Sequence, residues 1–135
     1  RIIVLPGQAV FLVAGPHEQQ LSRFADSQAL IRDVGKGAGA RVDLERALRK
    51  LAAEFECNEV LLEAGPTLSG AMVQAGLVDE VVIYIGPKFL GSEAMPLLHL
   101  PGLQLMADQV VLHMEDLQRL GEDCRIVARL ENGAG

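Results

Sequence analysis

The chain has 135 residues, half of them apolar and 22% charged, which is enough to bury one hydrophobic core and too apolar for a disordered segment. A formal net charge of −6 argues against a surface built for nucleic acid or an anionic membrane, since both need a basic face. It leaves room for a small anionic ligand held by backbone N–H groups.

Ile2–Val4 reads as a short strand, with Arg1 placed as if the chain were entered mid-strand. It lacks the longer apolar core and small-residue cleavage site of a signal peptide. Leu5-Pro6-Gly7-Gln8 is a turn, and Val10–Ala14 is a second β-type run closed by Gly15-Pro16. Glu18–Gln28 has weak helical spacing and stays ambiguous. Ala29–Val34 reads as a short strand, followed by a glycine-rich loop, Gly35-Lys36-Gly37-Ala38-Gly39. That loop lacks the GK[ST] ending of a phosphate loop and is expected to hold no ligand.

Asp43 opens the most periodic helix. Leu44, Ala47, Leu48, Leu51, Ala52 and Phe55 form one apolar stripe, and Asp43 is a good N-cap. Next comes Glu59–Glu63, where Val60-Leu61-Leu62 is apolar enough to predict a strand buried on both faces. Gly65-Pro66 turns into a helix over Pro66–Ala75, with Pro66 at its first position and Gly76 past its end. Val78–Ile85 is the longest β-rich run and ends at Gly86-Pro87. Lys88–Leu105 is loop-like. Gln109–Met114 and Arg125–Leu130 alternate as strands. Glu115–Asp123 lies between them, with Gly121 in the turn, giving a C-terminal antiparallel hairpin. The order predicts an α/β domain with a mixed sheet flanked by helices. No run approaches the ~18 apolar residues of a membrane span.

The chemistry concentrates at Glu63–Ala71. A strand, a tight glycine turn and a helix N-terminus together hold anions, because the first N–H groups of a helix have no internal partner and the dipole is positive there. The small residues Gly65, Thr67, Ser69, Gly70 and Ala71 let a ligand approach the backbone. Pro66 has no N–H, so the expected donors are Gly65, Thr67, Leu68 and Ser69, helped by the Thr67 and Ser69 hydroxyls. Glu63, at the strand's end, would face the same crevice. Lys88, after Gly86-Pro87, reads equally well as an anion-steering group or a solvated turn residue. His17, His99 and His113 stand alone and read as surface or structural residues. No serine or cysteine has an evident base partner. Cys57 and Cys124 fit no zinc-ligand spacing, so no metal is expected. They read as reduced thiols of a cytoplasmic protein.

The string LLEAGPTLSGAMVQAGLVDEVVIYIGPKFLGSEAMPLL, Leu61–Leu98, closely resembles the reductase domain of the bifunctional riboflavin-biosynthesis deaminase–reductase family. That family's run is of the type VEGGPTLAG-x3-AGLVDE-x3-YIAPKLLG. The likeness continues through Met106-Ala107-Asp108 and Leu117–Cys124 and includes Val42-Asp43-Leu44. The resemblance implies a dihydrofolate-reductase-like α/β fold and an NADPH-dependent oxidoreductase. Its reaction reduces the ribose of 5-amino-6-(5-phosphoribosylamino)uracil to the ribityl chain, with hydride going to C1′. By matching positions, Glu63 would contact substrate, and Gly65, Pro66, Thr67, Leu68, Ser69, Gly70 and Ala71 would line the NADPH site.

Family reductase domains start upstream of Arg1, with a further strand and helix, and the bifunctional proteins add a zinc deaminase domain. The chain is therefore expected to be the C-terminal portion of a single reductase domain, occupying residues 1–135. The β-rich Val78–Ile85 run and the apolar Phe89-Leu90 loop suggest pairing with a second copy, a homodimer. Two other functions stay open: a reductase of the same fold acting on another pyrimidine or pterin, and a non-catalytic dimerisation or ligand-binding piece.

Overall fold

The computed structural model describes residues 2–3, 9–13, 30–37 and 41–131. The chain divides into two compact units, Arg1–Ala64 and Gly65–Gly135.

In the first unit, β1 (Ile2–Ile3) pairs antiparallel with β2 (Ala9–Val13), and β2 pairs parallel with β3 (Leu30–Asp33), giving a mixed three-stranded sheet. The predicted strands are present. The Leu5–Gln8 turn, Gly15-Pro16 and the ambiguous Glu18–Gln28 stretch lie outside the described residues. After β3 the Asp33 carboxylate accepts the Gly35 N–H at 2.8 Å, and Gly35 takes a positive φ of 77° that favours glycine. Of the glycine-rich loop, Gly35–Gly37 is described. It returns on itself through an antiparallel bridge between Lys36 and Val42 and a Gly37 N–H to Arg41 carbonyl bond of 2.8 Å. A local turn thus organises Gly35 and Gly37.

Helix α1 (Leu44–Phe55) begins where its cap predicts, with the Asp43 carboxylate accepting the Arg46 N–H at 3.0 Å. Ala47 and Leu51 from its apolar stripe are buried with Val34, the buried apolar residues among those described in this unit. On the wet face Glu54 accepts from Arg32 of β3 at 2.7 Å and pairs with Lys50 at 3.2 Å. These bonds, from Arg32 first and then from Lys50, hold the Glu54 carboxyl below its ordinary range.

The expected buried strand over Glu59–Glu63 is corrected. No residue of that stretch lies in a sheet, Leu61 is 81% exposed, and Glu63 is exposed. Three apolar residues supply the propensity for a strand but not its partner, and no described strand pairs with them.

The second unit contains α2 (Pro66–Gln74) and a three-stranded antiparallel sheet of order β4-β6-β5. These strands are β4 (Glu80–Ile85), β5 (Leu112–Leu120) and β6 (Asp123–Leu130). Pro66 occupies the first turn, as predicted. At the other end Gly76 takes φ 66°, its N–H bonds to Val73 and the Leu77 N–H bonds to Met72, each at 3.0 Å. This is a complete Schellman cap. Met72 and Val73 are buried, as are Ala128 and Leu130 of β6.

The hairpin is present with a shifted boundary. Glu115–Leu120 belongs to the strand, and the turn is confined to Gly121 (φ 65°) and Glu122. The register slips between Met114 and Asp116, so that Met114 faces Ala128 while Leu117 faces Ile126. A one-residue bulge there reverses the phase of the apolar alternation and hides the second half of the strand from a period-two search. Across the hairpin Arg125 donates to Asp116 at 2.8 Å, which holds the guanidinium above its ordinary range. Among the described residues no helix is long and apolar enough to cross a membrane.

Candidate functional site

The seven residues singled out for a cofactor, Gly65, Pro66, Thr67, Leu68, Ser69, Gly70 and Ala71, fall on the N-cap and first turns of α2. Their local order follows from sequence. Gly65 is extended at φ −71° and ψ 169°, and Pro66 then sets the helical φ without needing a hydrogen-bond acceptor. No side chain caps this end.

The donor set is smaller than the sequence suggests. The Ser69 N–H already bonds the Gly65 carbonyl at 3.2 Å, closing the first helical turn. The amides left without an acceptor four residues back in the helix are Thr67 and Leu68, with Gly65 on the approach. Gly65 and Thr67 are exposed. A side-chain carbon built on Gly65 meets nothing within 4 Å, so packing does not require a glycine at this position. A helix N-terminus without a side-chain cap can accept a small anionic group at its backbone N–H groups, at the positive end of the dipole.

Gly70 has a different setting from its neighbours. It is buried, and a carbon added there would overlap the His99 carbonyl oxygen and stand 2.8 Å from its carbonyl carbon. Its lack of a side chain serves packing between α2 and the loop that follows β4. The His99 N–H donates to the Pro66 carbonyl at 3.0 Å, and Gln74 Nε2 donates to the Pro101 carbonyl at 2.6 Å. His99, set aside as a lone histidine, thus matters through its backbone. Irregular segments carry no periodicity, so no pattern in the sequence marks this contact. Lys88 is exposed, and its backbone N–H bonds the Gly86 carbonyl at 2.8 Å.

Glu63 stands two residues before Gly65 and is exposed at the end of the first unit. A carboxylate open to solvent can accept hydrogen bonds from hydroxyl or amino groups of a ligand.

Comparison with known proteins gives a consistent picture. The family model described as the RibD C-terminal domain matches residues 4–126. The chain is 37% identical over 123 residues to the riboflavin biosynthesis protein RibD of Escherichia coli, covering 91% of this chain and 32% of that protein. It is 35% identical over 81 residues to a protein of Buchnera aphidicola named 5-amino-6-(5-phosphoribosylamino)uracil reductase, covering 60% of this chain and 39% of the relative. The chain thus spans about a third of the length of the first of these relatives. Among solved structures, RibD of Acinetobacter baumannii superposes with a TM-score of 0.71 at 28% identity, over 88% of this chain and 30% of that one. The α/β fold expected from the sequence is therefore the fold of these reductases, consistent with a dihydrofolate-reductase-like architecture.

Proposed function

From the premise that the chain belongs to the RibD C-terminal domain family, we propose that it is an NADPH-dependent reductase of riboflavin biosynthesis. Its substrate is 5-amino-6-(5-phosphoribosylamino)uracil, whose ribose becomes the ribityl chain. A nicotinamide held at the start of α2 would supply hydride for C1′ of the sugar. The chain's own residues supply position. The amides of Gly65, Thr67 and Leu68, with the Thr67 hydroxyl, hold an anionic group of the cofactor, while Pro66, Leu68 and Ala71 shape the first turns around it. The Glu63 carboxylate binds hydroxyl or amino hydrogens of the substrate and fixes the face it presents.

On this reading residues 1–135 belong to one reductase domain, working as a homodimer in the cytoplasm on a small molecule rather than on nucleic acid or a membrane. Support for the pairing comes from β5. Leu112, Met114 and Leu117 are exposed, although their ladder partners Leu130 and Ala128 are buried and Ile126 is half-buried.

The observation that carries the proposal is the exposed, uncapped start of α2: a glycine whose added side-chain carbon would meet nothing, a proline that wastes no donor, and two uncapped amides. The test is turnover. The chain, mixed with NADPH and the phosphoribosylaminouracil, should consume NADPH in proportion to ribityl product and prefer it over NADH. Absence of consumption with this substrate would contradict the assignment.

A further inference from the structure

The segment around His99–Pro101 crosses one face of α2 and is held there at three places. The Pro66 carbonyl accepts the His99 N–H at 3.0 Å, Gly70 lies against the His99 backbone, and Gln74 Nε2 donates to the Pro101 carbonyl at 2.6 Å. Positions 66, 70 and 74 are four residues apart and fall on a single stripe of the helix. The chain is thus strapped along α2 from its first turn to its last.

The strap bears on the helix mouth through one planar unit. The Pro66 carbonyl and the Thr67 N–H belong to the same peptide group, which is rigid and trans, so fixing the direction of one fixes the other. A hydrogen bond accepted by the carbonyl also polarises the amide and strengthens its N–H as a donor. Proline at 66 holds its own φ near −65°, and the helix sets the tilt of this peptide, which the His99 bond holds further from outside. Gly70 sets how close the strap comes, because any side chain there would lift it off Pro66.

We propose that the His99–Pro101 strap is a positioning device for the cofactor: Gly70 and Gln74 hold it on α2, and its bond to Pro66 aims the Thr67 N–H at the cofactor's anionic group. This rests on the reading of the α2 mouth as the NADPH site. Gly70 and Gln74 are positioning residues, acting through His99 and Pro66 rather than by touching the ligand.

The experiment measures NADPH affinity by calorimetry and amide hydrogen exchange by NMR on the whole chain, for wild type, Gln74→Ala and Gly70→Ala. Gln74→Ala removes the far pin and should weaken NADPH about threefold. Gly70→Ala lifts the strap itself and should weaken it about tenfold, of the order expected for losing one aimed hydrogen bond. By linkage, saturating NADPH should slow exchange of the His99 amide in the wild type by a similar factor. Should Gly70→Ala fail to fold, Gln74→Ala and the wild-type exchange decide. Unchanged NADPH affinity in Gln74→Ala, with faster exchange at His99, overturns the strap's role while leaving the cofactor site standing. Weaker binding without reciprocal protection of His99 also overturns it, because general destabilisation produces that result. A wild-type chain that does not bind NADPH removes the functional reading and the strap's role together.

Discussion

Gly70 lies against the backbone of His99 so closely that an added side-chain carbon would stand 2.8 Å from the His99 carbonyl carbon and 3.1 Å from its nitrogen. Two effects of Gly70→Ala oppose each other. Alanine in a helix interior gains about 1 kcal/mol over glycine, and overpacking costs about 1–3 kcal/mol. The obstructing atoms are backbone, so relief requires displacing the whole strap rather than rotating a side chain, and overpacking wins. The overlap is severe enough to place overpacking in the upper part of that range, about 2–3 kcal/mol, so the net loss is about 1–2 kcal/mol and the Tm falls by roughly 3–8 °C. A thermal melt of the variant checks this, and an unchanged or raised Tm would show that the loop yields freely.

Asp43→Ala should cost about 1 kcal/mol, or roughly 4 °C in Tm, because the Arg46 N–H loses its acceptor at the start of α1. Asp43→Asn keeps an acceptor oxygen and should retain most of the stability. Calorimetric melts of the two variants side by side measure the difference.

Glu54 adds a pH-dependent contribution to the stability of the first unit. Hydrogen bonds from Arg32 and then Lys50 lower its pKa in the folded chain. The folded state therefore favours the charged form, and the stabilisation is present above the usual glutamate range of about 4.3 and lost as pH falls through the lowered folded value. Glu54→Gln should melt below wild type at neutral pH, and the two should converge on acidification. The gap should also shrink in high salt, since the pair is solvent-accessible. Melting curves across pH at two salt concentrations read both effects.

Glu63 and Gly65 should separate substrate from cofactor. Glu63→Gln removes a charged acceptor, and its kcat/KM for the pyrimidine should fall roughly 10- to 100-fold with little change in NADPH affinity. Gly65→Val should leave the melting temperature nearly unchanged, since its φ suits any residue and its surroundings are open, yet lose NADPH affinity because the valine fills the approach to the mouth. Steady-state kinetics and calorimetric titration of both variants test the split, and a Glu63→Gln enzyme with full turnover would remove Glu63 from the substrate site.

Local signals carried much of the fold into the sequence. Asp43 capping α1, Pro66 at the entrance of α2, Gly76 at its exit and Gly121 in the hairpin turn each act within one turn of chain, and each is where the sequence places it. Signals that depend on a partner were not legible. Val60-Leu61-Leu62 has the propensity of a buried strand without a ladder among the described residues. Glu115–Leu120 is a strand whose alternation is broken by a bulge that only its pairing with β6 reveals. At the candidate site the same division holds. The small residues of α2 were legible as a group, but the burial of Gly70 under His99 and the internal bond made by Ser69 required the three-dimensional arrangement.

The most direct measurement is an amide-resolved NMR titration of the chain with NADPH. The account predicts that the largest shifts fall on the N–H groups of Gly65, Thr67 and Leu68, with smaller ones spreading to His99. Saturable binding whose shifts cluster elsewhere, leaving these three amides unmoved, would contradict it.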